Sequence, residues 1–451
     1  MKIVHIVVRN TSTLDYSIPY LCFLRKKFKH AEISVLYCAS NRKQMLRNAK
    51  YYDKVFNEYN IKQYDYSDFL IINSRFLIKL WRKLLSFSYY DNVSLRSFMK
   101  NPLFLSGKVI KYILAGPRKR LDEWLCTKYV DAKEIINTLN PDLTLFDHRS
   151  RVDFIGKEEF AEFYKAKKAP VILVPHAAHV DNETGEYVPF SLDDIEFPRY
   201  CDHWSSFKYA KPYLKVHESQ RDQFSMIGHP GLDSAWLNIR EAASNRSSKN
   251  ARDGNVLKFL VLSRKFMPEG KKKLDDADPG LLEFKDVLKF FENIDYSLKA
   301  AGVSYKIIVK PHPSSSYPEN VRVLKKTKIE DFEISYEPFF ELLDNVDVVI
   351  TEFSTSIAFS VLANVPTVVL NSPLQDYVHG SWHRLEELYS GLRYFVDDPV
   401  QDLTTFVMKA IEDNIYKNLE TDENDDIEHF RKFYEDNAIS RALIRTEYLL
   451  K

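Results

Sequence analysis

Short runs of β-branched and aliphatic residues alternate along this chain with segments of helical length, and this alternation restricts its fold more than any other feature. Four runs come first (KIVHIVV, EISVLY, LTLFD and PVILVP), and four follow later (LKFLVLS, YKIIV, DVVIT and PTVVL). Runs that are apolar on both faces are typical of parallel strands covered by helices. Two such series predict an α/β protein with two Rossmann-like, doubly wound parallel sheets that face a cleft.

A chain of 451 residues is too long for one hydrophobic core and suits two domains. The first series ends near FSMIGHPGLDSAW, and the polar stretch EAASNRSSKNARDGN precedes the second. We therefore predict a first domain over residues 1–240 and a second over residues 241–426. After the acidic run ETDENDD, the amphipathic segment 427–451 is predicted to form a helix that packs back on the first domain.

Composition and missing motifs exclude several classes of protein. A net charge of +1 gives no support to a nucleic-acid partner. The four cysteines have no C-x-x-C spacing, which argues against a zinc site or a disulfide scaffold and suits a reducing cytoplasm. Gly-x-Gly-x-x-Gly after the first strand and a P-loop are both absent, so NAD dehydrogenases and P-loop ATPases are disfavoured. With only 12 glycines, any phosphate binding must depend on side chains and helix N-termini.

Cationic and hydroxyl side chains follow two strands of the second series. Lys310 and His312 follow the run YKIIV, and the two prolines of Lys-Pro-His-Pro restrict the backbone there. Ser354, Thr355 and Ser356 follow DVVIT and are predicted to open a helix, where free N–H groups attract anions. If the two strands are neighbours, these groups face one phosphate-binding crevice. The alternative is a stiff turn and an ordinary helix cap.

The residues of this region resemble a known group of enzymes. Lys-Pro-His-Pro, Thr-Glu-Phe-Ser-Thr-Ser, Ile-Gly-His-Pro-Gly-Leu-Asp and LVLSRKF are similar to motifs of bacterial surface-carbohydrate enzymes with the two-domain GT-B architecture. The families resembled are the capsule Kdo and polysialic acid transferases, the CDP-glycerol glycerophosphotransferases and, more distantly, the UDP-N-acetylglucosamine 2-epimerases. The resemblance covers residues 171–375.

The resemblance implies that the second domain holds a nucleotide-linked donor. His312 is then expected to bind a donor phosphate or to assist departure of the nucleotide, and Ser354, Thr355 and Ser356 are expected to bind the same phosphates. Arg264, directly after LVLS, is a further predicted phosphate partner, since a guanidinium can bind two oxygens at once.

The first domain is expected to hold the acceptor and a general base. His176 follows the run PVILVP, where the glycerophosphotransferases have a His-Gly-Thr turn, although Ala177 and Ala178 replace the glycine and the threonine here. Asp147 ends the run LTLFD and offers a second group that could accept a hydroxyl proton. We predict His176 as the base and Asp147 as its orienting partner or substitute. A structural histidine and a helix-capping aspartate are the alternatives.

Metal catalysis has weak support in the sequence. Asp276 and Asp278 satisfy a bare Asp-x-Asp pattern, but they lie in the charged stretch KKKLDDADPG with no strand before it. Cationic side chains and helix ends can neutralise a departing nucleotide phosphate without a metal. We therefore predict no metal and no cofactor, and the nucleotide-activated donor acts as a substrate.

Residues 75–120 carry eleven basic side chains and one acid, Asp91. Leucine, tryptophan and phenylalanine are interspersed among them, as in helices that lie on an anionic bilayer. Charged helices that face solvent would show the same composition. The opening MKIVHIVVRN is too short for a signal sequence, and no apolar stretch approaches 18 residues. The sequence therefore predicts a cytoplasmic protein at the inner face of the membrane, where a lipid-linked acceptor could reach it.

Together these features predict a metal-independent glycosyltransferase that moves a sugar from a nucleotide donor to a bacterial surface polysaccharide. A CMP-linked acidic sugar such as Kdo or sialic acid is favoured, although the acidic glycine-containing motif of the sialyltransferases is represented only by Glu269 and Gly270. A CDP-glycerol or other CDP-polyol phosphotransferase is the close alternative. A UDP-sugar 2-epimerase and a non-catalytic scaffold that binds nucleotide sugars remain open.

Overall fold

The structure is a computed structural model. Most of both predicted sheets lies within the residues that it describes. The described residues are 1–7, 12–37, 50–69, 131–147, 157–174, 201–205, 224–243, 256–263, 284–311, 317–327, 329, 331–335, 337–352, 356–370, 392–396, 402–416 and 437–451. The predicted membrane-facing region 75–120 and the acidic run 420–426 lie outside them.

Seven parallel strands form the first sheet. They are β1 (Lys2–Val7), β2 (Glu32–Tyr37), β3 (Lys62–Asp65), β4 (Leu143–Asp147), β5 (Val171–Val174), β6 (Cys201–Ser205) and β7 (Phe224–Met226). Their spatial order is β3-β2-β1-β4-β5-β6-β7. The chain runs outward from β1 to β3 and then returns to place β4 beside β1, so the sheet changes direction between β1 and β4.

Six parallel strands form the second sheet. They are β8 (Val256–Ser263), β9 (Ser304–Pro311), β10 (Phe332–Ile334), β11 (Val348–Glu352), β12 (Thr367–Leu370) and β13 (Phe395–Val396). The spatial order is β10-β9-β8-β11-β12-β13, which repeats the topology of the first sheet. Its change of direction falls between β8 and β11.

Helices connect most of these strands and cover the sheets. They are α1 (Ser12–Lys27), α2 (Lys50–Glu58), α3 (Ala132–Leu139), α4 (Lys157–Lys167), α5 (Ser234–Ala243), α6 (Phe284–Ala300), α7 (Tyr317–Lys326), α8 (Phe339–Leu343), α9 (Ser356–Leu362), α10 (Leu403–Tyr416) and α11 (Ala438–Leu449). Short 3-10 turns lie at Tyr66–Phe69 and Pro230–Leu232, and we call the second one the connector turn. Apolar side chains from both faces of each sheet form separate buried clusters with these helices.

The predicted fold class of two doubly wound parallel sheets is confirmed, and all eight predicted runs are strands. Five further strands were not predicted. Four of them, β3, β7, β10 and β13, are edge strands of two to four residues, and a strand with only one neighbour needs fewer buried side chains. The fifth, β6, lies inside the sheet but contains the charged residue Asp202, which hides it from a hydrophobicity pattern.

The C-terminal helix α11 packs against α1, the helix that follows the first strand of the seven-stranded sheet. Ile439 and Ala442 join the buried cluster beneath that sheet, and the Tyr20 and Thr446 hydroxyls are 2.5 Å apart. The backbone N–H of Ile439 also donates to Asp233 Oδ2 at 2.8 Å. The chain therefore returns to the first domain after completing the second sheet.

A buried carboxylate ties α11 to strand β6. Asp202 is 1% exposed, and Arg445 donates to it through Nε and Nη2, each at 2.9 Å. Trp204 Nε1 at 2.8 Å and the Ser225 hydroxyl at 3.0 Å complete its hydrogen bonds. Because a buried charge is tolerated only when it is paired and hydrogen-bonded, Asp202 requires α11 in place.

Replacing Arg445 with methionine should lower the free energy of unfolding by about 3 kcal/mol, because it leaves the Asp202 charge buried without its cation. Urea unfolding followed by circular dichroism measures this. Lys27→Met is the matched control, since it removes the partly exposed pair that Lys27 forms with Glu447 at 2.8 Å and should cost less than about 1 kcal/mol. Equal losses in the two variants would contradict the assigned role of Arg445.

Candidate functional site

The two changes of strand direction mark the candidate site. In doubly wound sheets, ligands bind outside the carboxyl ends of the strands at the point where the strand order reverses. In the first sheet this point lies between β1 and β4, and in the second it lies between β8 and β11. The predicted site residues follow strands at or next to these two points.

Lys310 is the predicted donor-binding residue that the structure describes most fully. It lies one residue before the end of β9, paired in register with Leu262 of β8. Its ammonium donates to the Glu337 carbonyl at 2.7 Å. Among the described residues, no carboxylate lies within ion-pair distance of it. Within that part of the chain, one hydrogen bond leaves two of its three N–H groups available to a ligand.

Desolvation governs the protonation of Lys310. The residue keeps partial exposure at the sheet edge, but burial lowers the pKa of its ammonium from 10.5 to about 8. The charges of Asp15 and Glu337 oppose this by favouring the ammonium. The lowered pKa means that the protein solvates the ammonium of Lys310 poorly. An anionic ligand bound to the ammonium would compensate for this lost solvation.

The other predicted donor residues follow β8, β9 and β11, and the structure corrects one part of the sequence interpretation. The strands that precede Lys-Pro-His-Pro and the Ser-Thr-Ser turn are not direct neighbours, because β8 lies between β9 and β11. Two interstrand spacings, or about 10 Å, therefore separate these strands. Arg264 directly follows β8, so it belongs between them in the strand order.

Ser263 and Pro311 are paired in register at the ends of β8 and β9. Arg264 and His312 come immediately after these two positions, so the strand ends from which they follow lie side by side. Ser356 is the first residue of α9. His312, Arg264, Ser354 and Thr355 themselves lie outside the described residues, and their contacts with a donor remain predictions.

The predicted acceptor-side residues follow two adjacent strands of the first sheet. Asp147 ends β4 and is paired in register with Val174, the last residue of β5. His176 follows Val174 by two residues and lies outside the described part of the chain, as does the side chain of Asp147. Their roles remain predictions.

Aromatic contacts at the connector turn link the two domains. His229 is 1% exposed, and its ring meets Tyr16 of α1 edge to face at 4.8 Å and Phe359 of α9 at 5.2 Å. Its Nδ1 accepts a hydrogen bond from the Gly231 N–H at 3.1 Å, which caps the turn. Burial lowers the pKa of His229 to about 3, so the ring is neutral at physiological pH. These contacts give His229 a structural role at the junction.

Sequence analysis did not identify Asp15, which lies in the first turn of α1 beyond strand β1. The Tyr52 hydroxyl donates to Asp15 Oδ1 at 2.5 Å. Tyr52 is buried, and its pKa is raised first by that burial and then by the Asp15 charge. A weaker signal existed, because Asp15 ends the polar segment RNTSTLD that follows a predicted strand, although it lies further from that strand than Lys310 does from its own.

Among the described residues there is neither a metal-ligand cluster nor a helix suited to cross a membrane. In the part of the chain that the structure describes, no three His, Cys, Asp or Glu side chains converge as a metal site would require. Asp276 and Asp278 lie outside it. No described helix combines the length and the apolar character needed to span a bilayer.

Comparison with solved structures places this fold among known proteins. The S. aureus MnaA-UDP co-structure aligns with a TM-score of 0.51 at 14% identity, covering 100% of this chain and 97% of that one. A single-residue variant of the wall teichoic acid polymerase TagF aligns with a TM-score of 0.50 at 11% identity, covering 99% of this chain and 89% of that one. UDP-GlcNAc 2-epimerase from Neisseria meningitidis, bound to UDP-GlcNAc, gives a TM-score of 0.49 at 12% identity, with full coverage of both chains.

No family model matches the sequence, and no curated protein matches it either. At these identities the alignments establish the fold. The chain has a GT-B-like architecture of two Rossmann-like domains, and the alignments extend along nearly the whole chain.

Proposed function

We propose that this protein is a glycosyltransferase that takes a sugar from a nucleotide-linked donor held by the second domain. Lys310 is the observation that carries the proposal. It is a partly buried cation whose ammonium has one hydrogen-bond partner among the described residues, at the edge of the sheet where such folds bind their ligands. Arg264 and His312 follow the paired ends of β8 and β9, and Ser354, Thr355 and Ser356 follow β11. These side chains supply cationic and hydroxyl groups for a donor's phosphates.

Lys310 is stronger evidence for a phosphate-binding site than the Ser-Thr-Ser turn is. Helix α9 has only seven residues, so its free N–H groups are a weaker basis for an anion site than a charged side chain. The hydroxyl groups of the turn then serve as additional hydrogen-bond donors to the same phosphates. Groups of this kind stabilise the charge that develops on the departing nucleotide without a metal.

The fold neighbours support a nucleotide-linked substrate. The MnaA structure was determined with UDP, and TagF is a wall teichoic acid polymerase. For this chain we favour a CMP-linked acidic sugar, on the resemblance of Lys-Pro-His-Pro and the Ser-Thr-Ser turn to capsule transferases. A CDP-polyol is the second donor to test, because His176 occupies the position of the glycerophosphotransferase histidine.

The acceptor is proposed to be a growing surface glycan or its lipid-linked form. The excess of basic residues over 75–120 supports contact with an anionic membrane surface. His176 is the proposed base, with Asp147 at the end of the adjacent strand as its partner or substitute. The proposed location is the inner face of the membrane.

Product analysis distinguishes the proposed function from its alternatives. The purified protein is incubated with CMP-, CDP- and UDP-linked donors, with and without a glycan acceptor, and the products are separated by mass. Sugar transfer gives a lengthened acceptor, polyol transfer adds a phosphodiester-linked unit, and epimerisation changes the sugar without an acceptor. If the protein binds a nucleotide but forms none of these products, it is a scaffold, and the proposed enzymatic activity is refuted.

Nucleotide affinity should depend on pH through Lys310. Its ammonium is charged below a pKa of about 8 and neutral above it. A bound phosphate favours the charged form, so affinity should fall as the pH rises through about 8, by up to about tenfold per pH unit. Calorimetric titration from about pH 7 to about pH 9.5 measures the fall, in a range where the phosphates have already ionised near pH 6.

Lys310→Arg is the control for this profile. A guanidinium stays charged throughout the range, so the variant should lose the fall near pH 8 whatever its absolute affinity. A wild-type affinity that stays flat to about pH 9.5 would show that Lys310 does not bind the phosphates.

A further inference from the structure

We propose that His229 is a positioning residue that keeps the donor-side and acceptor-side halves of the candidate site in fixed relation, and that only its neutral ring can do so. Its role in holding the two domains together does not depend on the identity of the donor. Its effect on sugar transfer rests on the proposed function.

His229 touches the two helices that begin at the two changes of strand direction. Helix α1 follows β1 in the first sheet, and α9 follows β11 in the second. The His229 ring meets Tyr16 of α1 at 4.8 Å and Phe359 of α9 at 5.2 Å, in both cases edge to face. Both partners lie close to the helix N-termini, which begin at the carboxyl edges of the strands. One ring therefore contacts the helix beside each half of the candidate site.

On the first-domain side, the connector turn packs closely against α1. The Tyr16 hydroxyl donates to the carbonyl of Gly228, the residue before His229, at 3.0 Å. A Cβ at Gly231 would lie 2.5 Å from the Asp15 carbonyl oxygen, so the turn requires glycine at this position. These contacts leave His229 little freedom to move relative to α1.

On the second-domain side, the same turn joins the buried cluster beneath the second sheet. Leu232 of the turn belongs to that cluster, as does Phe359. Phe359 also meets Phe340 of α8 edge to face at 4.7 Å. Ile227, three residues before the end of β7's connection to the turn at Pro230, belongs instead to the cluster of the first domain. The two domains therefore meet at His229 through side chains that are packed into both cores.

The hydrogen-bond roles of the two ring nitrogens restrict His229 to its neutral form. Nδ1 accepts from the Gly231 N–H at 3.1 Å, so it carries no hydrogen, and the ring proton is on Nε2. An imidazolium would place a second N–H against that of Gly231. Nε2 is buried, and no described group accepts its hydrogen. In agreement with these contacts, burial lowers the pKa of His229 from 6.5 to about 3.

Several charged and titratable groups lie on the elements that contact the connector turn or its flanks. They are Asp15 and Tyr16 of α1, Asp233 before α5, Arg240 and Glu241 in the last turn of α5, and Arg441 of α11. Helix α9 has none. Burial raises the pKa of Tyr16 well above 10, so its hydroxyl is neutral. Among the described residues, no carboxylate lies within ion-pair distance of His229, so an imidazolium would lack a counter-charge there.

Separation of α9 from the connector turn would expose one face of the His229 ring to water. Relative movement of domains is the general expectation for a chain with two of them. The exposed ring would regain a pKa near 6.5, and its Nε2–H would gain a water as hydrogen-bond partner. The packed arrangement is therefore favoured at neutral pH, and protonation of the separated form weakens it as the pH falls below about 6.5.

Single-molecule fluorescence energy transfer measures the fraction of molecules in which the domains have separated. The two dyes are attached to unnatural amino acids placed at Lys133 of α3 and Lys409 of α10, which are exposed and belong to different domains. Between about pH 7.5 and about pH 5, the equilibrium constant for separation should rise about thirtyfold, because the exposed ring takes up a proton and the packed ring does not. A constant that stays the same over this range would refute the requirement for a neutral ring.

Two histidine variants identify the group that titrates. His229→Asn keeps the cap of the turn, because an asparagine oxygen can accept from the Gly231 N–H, but it removes the titrating ring and its two aromatic contacts. Its domains should be more separated than those of the wild type at about pH 7.5, with no further rise towards pH 5. His30→Asn is the matched control, since His30 is exposed in the turn after α1, and it should keep the wild-type rise. A rise that persists in His229→Asn would belong to another group and would overturn the proposal.

Turnover supplies the second readout. Because His229 aligns the two halves of the site and touches neither substrate, His229→Asn should lower turnover at about pH 7.5 by about tenfold to a hundredfold, while nucleotide affinity stays within about threefold of the wild type. Unchanged turnover in the folded variant would overturn the positioning role and leave the proposed function intact. If the wild type transfers no sugar from any donor, the proposed function fails, and the fluorescence measurements still decide whether the neutral ring of His229 holds the domains together.

Discussion

Replacing His312 with alanine should reduce turnover at least about a hundredfold, the scale of losing one preorganised contact to the transition state. His312 follows Pro311, the last residue of β9, and β9 also carries Lys310. The proposed role is to donate to the phosphate that departs with the nucleotide, where negative charge develops as the sugar is transferred. Steady-state kinetics with the donor identified by product analysis give the measurement.

Folding of the His312→Ala protein should hardly change. The described buried clusters of the second domain are built from other side chains, and the pairing of Ser263 with Pro311 is a register of the backbone. Thermal unfolding therefore serves as the control. Near-normal turnover in a folded variant would remove His312 from the mechanism.

Alanine at the acceptor-side base should lower turnover by about a hundredfold to ten-thousandfold, the usual contribution of general base catalysis. We expect this result for His176, since transfer requires a group within hydrogen-bond reach of the attacking hydroxyl. Nucleotide affinity should stay within about threefold of the wild type, because the base does not touch the nucleotide. Turnover and calorimetric affinity are measured on the same preparations.

The paired experiment on Asp147 tests the assignment within the first domain. Asp147 ends β4 beside the end of β5, from which His176 follows, so either group could serve the same hydroxyl. Loss of activity in Asp147→Ala with little effect in His176→Ala would reverse their roles. Full activity in both variants would refute the acceptor-side model and leave the donor side untouched.

Much of the donor side could be predicted from the sequence, because its signals are local. A buried parallel strand must be apolar on both faces, so YKIIV and DVVIT are visible as strands, and the polar residues that follow them must lie at the carboxyl edge. The position of Lys310 near the end of β9 was predicted in this way, while its role in donor binding stays a prediction. The same rule does not point to Asp15, because that residue lies in the first turn of α1 and not directly after β1.

By itself, the sequence determined the two series of parallel strands, the class of fold and the carboxyl edges where ligand-binding side chains belong, because strand periodicity and chain direction are properties of neighbouring residues. Only the tertiary structure decided that β8 separates β9 from β11, that Arg445 neutralises Asp202, and that His229 packs between Tyr16 and Phe359. Each of these depends on residues far apart in the chain, whose approach is set by strand order and by packing around the connector turn. A pattern within one segment cannot report a charge that a distant segment supplies.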